Sequence, residues 1–252
     1  MSAKSVRAAV LLIGDELLSG RTQDINLQTI AKFLAPLGVQ VAEARVVSDA
    51  PAEIIAAVNA LRATYDYVFT TGGIGPTHDD KTADAIAAAF GARIDVRADA
   101  RAILEEHYKG AANLNEARLR MARIPDGAVL IANPVSKAPG FQLGNVFVMA
   151  GIPAVMQAML EDVRHRLSGA APLSSRTVSV YLGEGTIAAG LAALQKQFPD
   201  IPLGSYPFSK GGKFGTSLVA RGNDQARLGE VAEALQAMVR AAGGEPIVDG
   251  EG

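Results

Sequence analysis

The 252-residue sequence has no cysteine, no tryptophan and only three histidines. Without thiols there are no disulfides, no zinc–thiolate centres and no cysteine nucleophiles. Without an HExxH run or paired histidine spacing there is no histidine metal motif. Neither sign of charge dominates, since 24 Lys and Arg stand against 26 Asp and Glu, a formal net charge of −2. That balance supplies no basic field for nucleic acid and no polybasic segment for an anionic membrane. The charge-free segment 143–160 is interrupted by Gly151 and Pro153 and carries Asn145 and Gln157, so it does not read as a membrane span. The N-terminal apolar run Ala8 to Ile13 is closed by Gly14-Asp15-Glu16 without a small-residue cleavage pattern, so a signal peptide is not expected. A soluble, cytoplasmic protein with neither nucleic-acid nor membrane partner is the expectation.

What is present suits a folded core. Hydrophobic residues make up 49% of the chain and charged residues 20%, and a chain of this length folds without a metal or disulfide. Up to about residue 168, buried-strand runs alternate with helical patterns. Val6 to Ile13 reads as a strand covered on both faces. Asp24 caps a helix with Leu27, Ile30, Ala31, Leu34 and Leu37 on one side, and Gly38 ends it. Val39 to Val47 is the next strand, and Ser48 or Asp49 caps a helix carrying Ile54, Ile55, Val58 and Leu61. Asp66 to Thr71 is a third strand, running through a glycine-rich loop into a helix with Ala83, Ile86, Ala87 and Phe90. This rhythm predicts an α/β fold, a three-layer αβα arrangement on a mainly parallel sheet. Gly144-Asn145 marks a hairpin that adds one antiparallel pair.

The composition changes at Ser168 to Ser175 (SGAAPLSS), read as a linker, which sets domains at 1–170 and 171–252. Beyond it, strands at Arg176–Leu182, Leu203–Phe208 and Thr216–Arg221 and helices at Thr186–Phe198 and Asp224–Ala241 predict a small β-α-β-β-α domain. Lys210 to Gly215 reads as a hairpin tip, and the tail from Gly243 has little to anchor it.

Ligands of open parallel sheets sit beyond the carboxyl ends of the strands. Three such ends are polar or glycine-rich here: Gly14-Asp15-Glu16, Ser48-Asp49, and Thr70 to Asp80 (TTGGIGPTHDD). The third matches no familiar nucleotide fingerprint: Asp80 replaces the P-loop glycine before Lys81-Thr82, and His78 replaces the last Rossmann glycine. Its glycines can still bring backbone N–H groups to an anion at a helix start. Carboxylates beside a phosphate cradle repel it unless a divalent cation intervenes. Asp80 and Asp49, with Asp15 or Glu16 at a neighbouring strand end, therefore read as a metal–phosphate site, whereas helix capping accounts equally well for Asp79. Arg118, Arg120 and Arg123 read as a solvated helix face.

The segments GDELLSGRTQDIN, TTGGIGPTHDDKT, ARLRMARIPDGAVLIANPVSKAPGF and MAGIPAVM, in that order, resemble the molybdopterin-binding-type domain of the competence/damage-inducible protein A (CinA) family over about residues 6–168. GSYPF in the second domain resembles stand-alone members. The same domain type occurs in MoaB and Mog proteins of molybdenum-cofactor synthesis and in the hydrolase half of eukaryotic FAD synthases. The resemblance implies functional aspartates at Asp49 and Asp80, a homo-oligomer, and metal-dependent cleavage of ADP-ribose at its pyrophosphate. It also implies that the loop around Ser136-Lys137 closes over the ligand. The nicotinamide-mononucleotide deamidase domain of longer members is not expected, because the chain stops too early for it. In the run that members usually write Pro-Gly-Val-Pro, a small residue, Glu and Met, Ala150 replaces the first proline and Val155 the glutamate.

The expected function is metal-dependent hydrolysis of a nucleotide diphosphate such as ADP-ribose. Asp49, Asp80 and Asp15 would hold Mg²⁺, Mn²⁺ or Co²⁺, and Glu16 or Asp15 would orient water. Thr71, Gly72, Gly73 and Gly75 would cradle phosphates, with contacts from the Thr77 hydroxyl, His78 and Lys137. The alternatives are a molybdopterin-binding or adenylyl-transferring protein and a non-catalytic nucleotide-binding module. The partner in every case is a small-molecule nucleotide or pterin.

Overall fold

The computed structural model describes residues 6–171 and 174–248. The chain divides into two compact units, Met1–Ala170 and Ala171–Gly252. The first contains, in order, β1 (Val6–Ile13), α1 (Asp15–Leu18), α2 (Asn26–Leu34), β2 (Val39–Val47), α3 (Pro51–Thr64), β3 (Tyr67–Thr71), α4 (Thr82–Phe90), β4 (Ile94–Val96), α5 (Ala98–His107), α6 (Glu116–Arg120), β5 (Arg123–Pro125), β6 (Val129–Ile131), β7 (Gly140–Leu143), β8 (Val146–Met149) and α7 (Pro153–Asp162). The main sheet has the order β2-β1-β3-β8-β7-β6. Its first three pairings are parallel and its last two antiparallel.

Side chains of β1 alternate between two cores, as a strand with both faces covered must. Ala9, Leu11 and Ile13 join Ile54, Val58 and Leu61 of α3, Ile86 of α4 and Leu104 of α5. Ala8, Val10 and Leu12 join Ile30 and Leu34 of α2 and Met156, Met159 and Leu160 of α7. Phe69 and Phe147, both fully buried, stack across β3 and β8 with centroids 5.0 Å apart. Helices thus cover both faces of a mainly parallel sheet, the expected three-layer architecture.

Several local details differ from expectation. Asp24 does feed the start of α2, its two carboxylate oxygens accepting from the N–H groups of Asn26 and Leu27. Leu37, placed in that helix by its spacing, lies instead in a 3-10 turn, Ala35–Leu37. At α3 neither Ser48 nor Asp49 is the cap, because Ala50 occupies that position. Ser48 donates its hydroxyl to Glu53 at 2.6 Å, which leaves Asp49 free to reach elsewhere. The antiparallel edge has two pairings rather than one, since the short β6 was invisible as a three-residue run. A separate two-stranded sheet pairs β4 with β5, so Arg123 lies on a strand and not on the helix of Arg118 and Arg120.

The second unit contains β9 (Ser174–Val180), α8 (Glu184–Gln197), β10 (Leu203–Lys210), β11 (Lys213–Gly222), α9 (Gln225–Ala241) and β12 (Ile247–Val248). Its sheet, β10-β11-β9-β12, is antiparallel throughout. Val178, Val180 and Leu218 pack with Ile187 of α8 and Leu228, Val231 and Leu235 of α9. The hairpin tip is only Gly211-Gly212, both at positive φ, so the strands run further than the sequence pattern showed. The described part of the tail after Gly243 is anchored, because Ile247 pairs with Ser179 of β9, while positions 249–252 lie outside the described residues. The linker Ser168–Ser175 lies in part outside the described residues, at positions 172 and 173. Among the described residues, no helix is long and apolar enough to cross a membrane.

Candidate functional site

The carboxyl ends of β2, β1, β3 and β8 lie side by side, and backbone bonds beyond the strands tie β1 to β2 and β3 to β8. Gly14 donates to the Val47 carbonyl at 3.1 Å, and Gly72 to the Met149 carbonyl at 3.1 Å. Two glycines are required where β3 leaves the sheet. Gly72 has φ +103° and a Cβ there would overlap the Ile13 carbonyl oxygen; Gly73 has φ +67° and a Cβ would overlap the Thr82 hydroxyl.

From Gly73 the chain makes an excursion that returns to α4, where the Thr82 N–H donates to the Gly73 carbonyl at 2.9 Å. Asp80 organises the interior of this loop. Its carboxylate accepts from the Thr77 N–H at 2.8 Å and from the Thr77 hydroxyl. That hydroxyl has one proton and two carboxylates beside it. With Asp79's own N–H, its proximity holds the Asp79 carboxyl below the usual carboxylate range, and His78 and Lys81 add smaller charge effects in the same direction. The His78 side chain itself is 97% exposed.

A cavity of about 580 Å³ opens at these strand ends. Gly72, Gly73 and Gly75 border it, together with the two acids Glu16 and Asp80. Asn133 and Ser136 come from the loop after β6, while Tyr108, Met121 and Val155 supply apolar wall. No lysine or arginine is among the bordering residues. Of the residues singled out by sequence, the structure therefore gathers Glu16, Gly72, Gly73, Gly75 and Asp80 around one space. Thr77 adjoins it through its bonds to Asp80. Thr71, 2% exposed, borders a smaller neighbouring cavity.

Asp49 and Asp15 do not border the large cavity; they hold each other, the Asp15 N–H donating to the Asp49 carboxylate at 3.0 Å. This bond ties the turn after β2 to the first residue of α1. Lys137, at φ +65°, borders a different cavity of about 570 Å³ beside Asp162 and Arg166.

A family model described as "Probable molybdopterin binding domain" matches residues 9–168. The chain belongs to that family. A second model, "FAD synthase, middle domain", matches residues 172–244. A "CinA-like protein" of Geobacter metallireducens is 33% identical, covering 98% of this chain and 62% of its own length. The "Probable FAD synthase" of Caenorhabditis elegans is 30% identical over 84% of this chain and 46% of its own. A crystal structure of the protein CinA from Thermoplasma acidophilum, described as of unknown function, superposes with a TM-score of 0.61 at 36% identity, covering 64% of this chain and 98% of that one. The chain spans about half to two thirds of the length of the first curated relatives it matches.

Within this molybdopterin-binding-domain fold, the two aspartates expected to hold a divalent ion are each bonded to a loop through one carboxylate oxygen. Among the described residues no three or more His, Asp or Glu side chains are grouped to hold a metal. Val155 is 4% exposed and keeps that part of the wall apolar. Two contributors escaped the sequence reading. Arg120 is no solvated side chain: its Nη2 donates to the Asp80 carbonyl at 3.2 Å and its Nε is buried without a partner. The other two arginines are engaged as well, Arg118 on the Asn113 carbonyl and Arg123 on Asp84. Asn133 stitches its own loop, accepting from Val135 and Ser136 N–H and donating to the Ser136 hydroxyl and the Ala138 carbonyl. A lone Asn before Pro reads as an ordinary turn, so only the fold reveals that role.

Proposed function

We propose that the cavity at the ends of β1, β3 and β8 binds a phosphorylated pterin of the molybdopterin kind. The observation that carries this reading is the cavity's make-up. It has the volume of a small-cofactor site, a glycine loop along one side and Tyr108, Met121 and Val155 along another. The glycine loop next to the start of α4 suits an anionic group, and the apolar wall suits a fused ring. Membership of the molybdopterin-binding-domain family supports the same ligand. Titrating the full chain against pterin should give saturable quenching of pterin fluorescence. Unchanged fluorescence at millimolar protein would end the proposal.

A second reading is favoured by one specific feature, the presence of Glu16 and Asp80 on the same cavity. In this reading a nucleotide pyrophosphate such as ADP-ribose occupies the glycine loop, Glu16 orients the attacking water, and Asp80 holds the loop in register. In-line displacement asks mainly for such positioning. ADP-ribose, FAD and ATP, each supplied with Mg²⁺, Mn²⁺ or Co²⁺, should then release AMP. Asp80→Ala should slow that release about a hundredfold or more while leaving the unfolding free energy within about 1 kcal/mol of the parent. Full activity in the variant removes the role given to Asp80, and binding without AMP release in the parent removes the hydrolytic reading and leaves a non-catalytic module.

A further inference from the structure

Beside the main cavity lies a smaller one of about 60 Å³, and Glu16, Thr22, Gly151 and Pro153 border both. Asn26, the first residue of α2, borders the small cavity and is 5% exposed. The orientation of its amide is set by chemistry. Nδ2 donates to the Gly151 carbonyl at 2.7 Å, and turning the amide over would place two acceptors against each other. Oδ1 is therefore an acceptor of known identity, and it has no partner.

Thr22, Gln23 and Thr71 also border the space, yet none of them donates to Asn26 Oδ1. The Asp24 carboxylate next to Asn26 is an acceptor already engaged by two backbone N–H groups. Glu16 adds a carboxylate, and no lysine, arginine or histidine borders the space. A buried acceptor left without a partner, beside a carboxylate and with no cation bordering the space, favours a ligand's hydrogen-bond donor over a carbonyl at that point. The space is too small for a ring system but admits one polar substituent reaching over from the main cavity.

We infer that Asn26 and Glu16 form a subsite that reads an exocyclic amine on the heteroaromatic ring of the ligand. Resting on the ligand reading proposed above, this adds the group by which the ring is recognised. Both a pterin and an adenine carry such an amine, and paired analogues separate them. In lumazine an oxo group replaces the pterin amine, and in inosine diphosphate (IDP) one replaces the amine of ADP.

The full chain, titrated with pterin, lumazine, ADP and IDP, should bind pterin about ten- to a hundredfold more tightly than lumazine. Asn26→Ala should bring that ratio close to one while leaving lumazine affinity unchanged, an effect that a merely structural role would not produce. Because Asn26 also holds Gly151, Glu16→Gln at an exposed position is the second variant, and it should narrow the ratio in a chain that keeps its fold. A preference for ADP over IDP with pterin and lumazine equal would uphold the subsite and overturn the pterin as its ligand. Equal binding within both pairs overturns the subsite alone. Failure of all four to bind overturns the subsite together with the ligand reading.

Discussion

Alanine at position 72 is expected to destabilise the first unit by about 3 kcal/mol or more and to abolish pterin binding at the glycine loop. The backbone there has φ +103°, where an L side chain is strained, and the added methyl would enter the Ile13 carbonyl oxygen. Relief requires β1 and β3 to part at their carboxyl ends, because Ile13 and Gly72 are backbone neighbours across that seam. Parting them also breaks the Gly72 N–H bond to Met149, which holds β3 to β8. The loss should be read as a lower denaturant midpoint at unchanged slope, with quenching by pterin abolished. A parent-like midpoint would show that the strand ends are not locked in this way.

Phe147→Ala should cost about 3–5 kcal/mol, lowering the melting temperature of the first unit by roughly 10 °C. Phe147 is fully buried and stacks on Phe69 with ring planes 15° apart. Tyr67 meets Phe147 edge-on at 6.0 Å. Truncation therefore removes both transfer energy and aromatic contact, and leaves a cavity among close-packed strands. Leucine at the same position should lose much less, because it refills most of the volume. Equal losses for alanine and leucine, measured by denaturant titration, would contradict a packing origin. Phe69 and Phe147 lie on the two strands that run up to Gly72 and Ala150, so the alanine variant should also bind pterin more weakly than its stability alone accounts for.

The sequence was most readable where periodicity is strong. The alternation along β1 and the one-sided apolar faces of α2 and α3 announced a covered sheet, and the glycine loop announced the end of β3 where ligands gather. Reading failed where an element is too short to carry a period, as with β6 at three residues, or where pairing is non-local, as with β12 against β9. At the site, residue type showed that carboxylates were concentrated but not what they face. Asp49 read as a metal ligand, and the fold shows it accepting an N–H from Asp15 away from the large cavity, while Lys137 stands on another cavity. Arg120 looked like one of several solvated arginines, and only the approach of α6 to the glycine loop brings its guanidinium against Asp80. Asn26 closed the first of the resembling segments with no role of its own; its amide is oriented by Gly151, 125 positions away, which leaves its oxygen unsatisfied.

The bond between Gly73 and Thr82 has an evolutionary corollary. Because the excursion begins and ends at one point, residues added to its tip leave the strand and helix that anchor it undisturbed. Doubling the length of such a loop costs only about 0.6 kcal/mol of closure entropy. Tip length and tip chemistry are thus free to diversify, so that ligand choice among descendants can change by insertion while the scaffold is inherited intact.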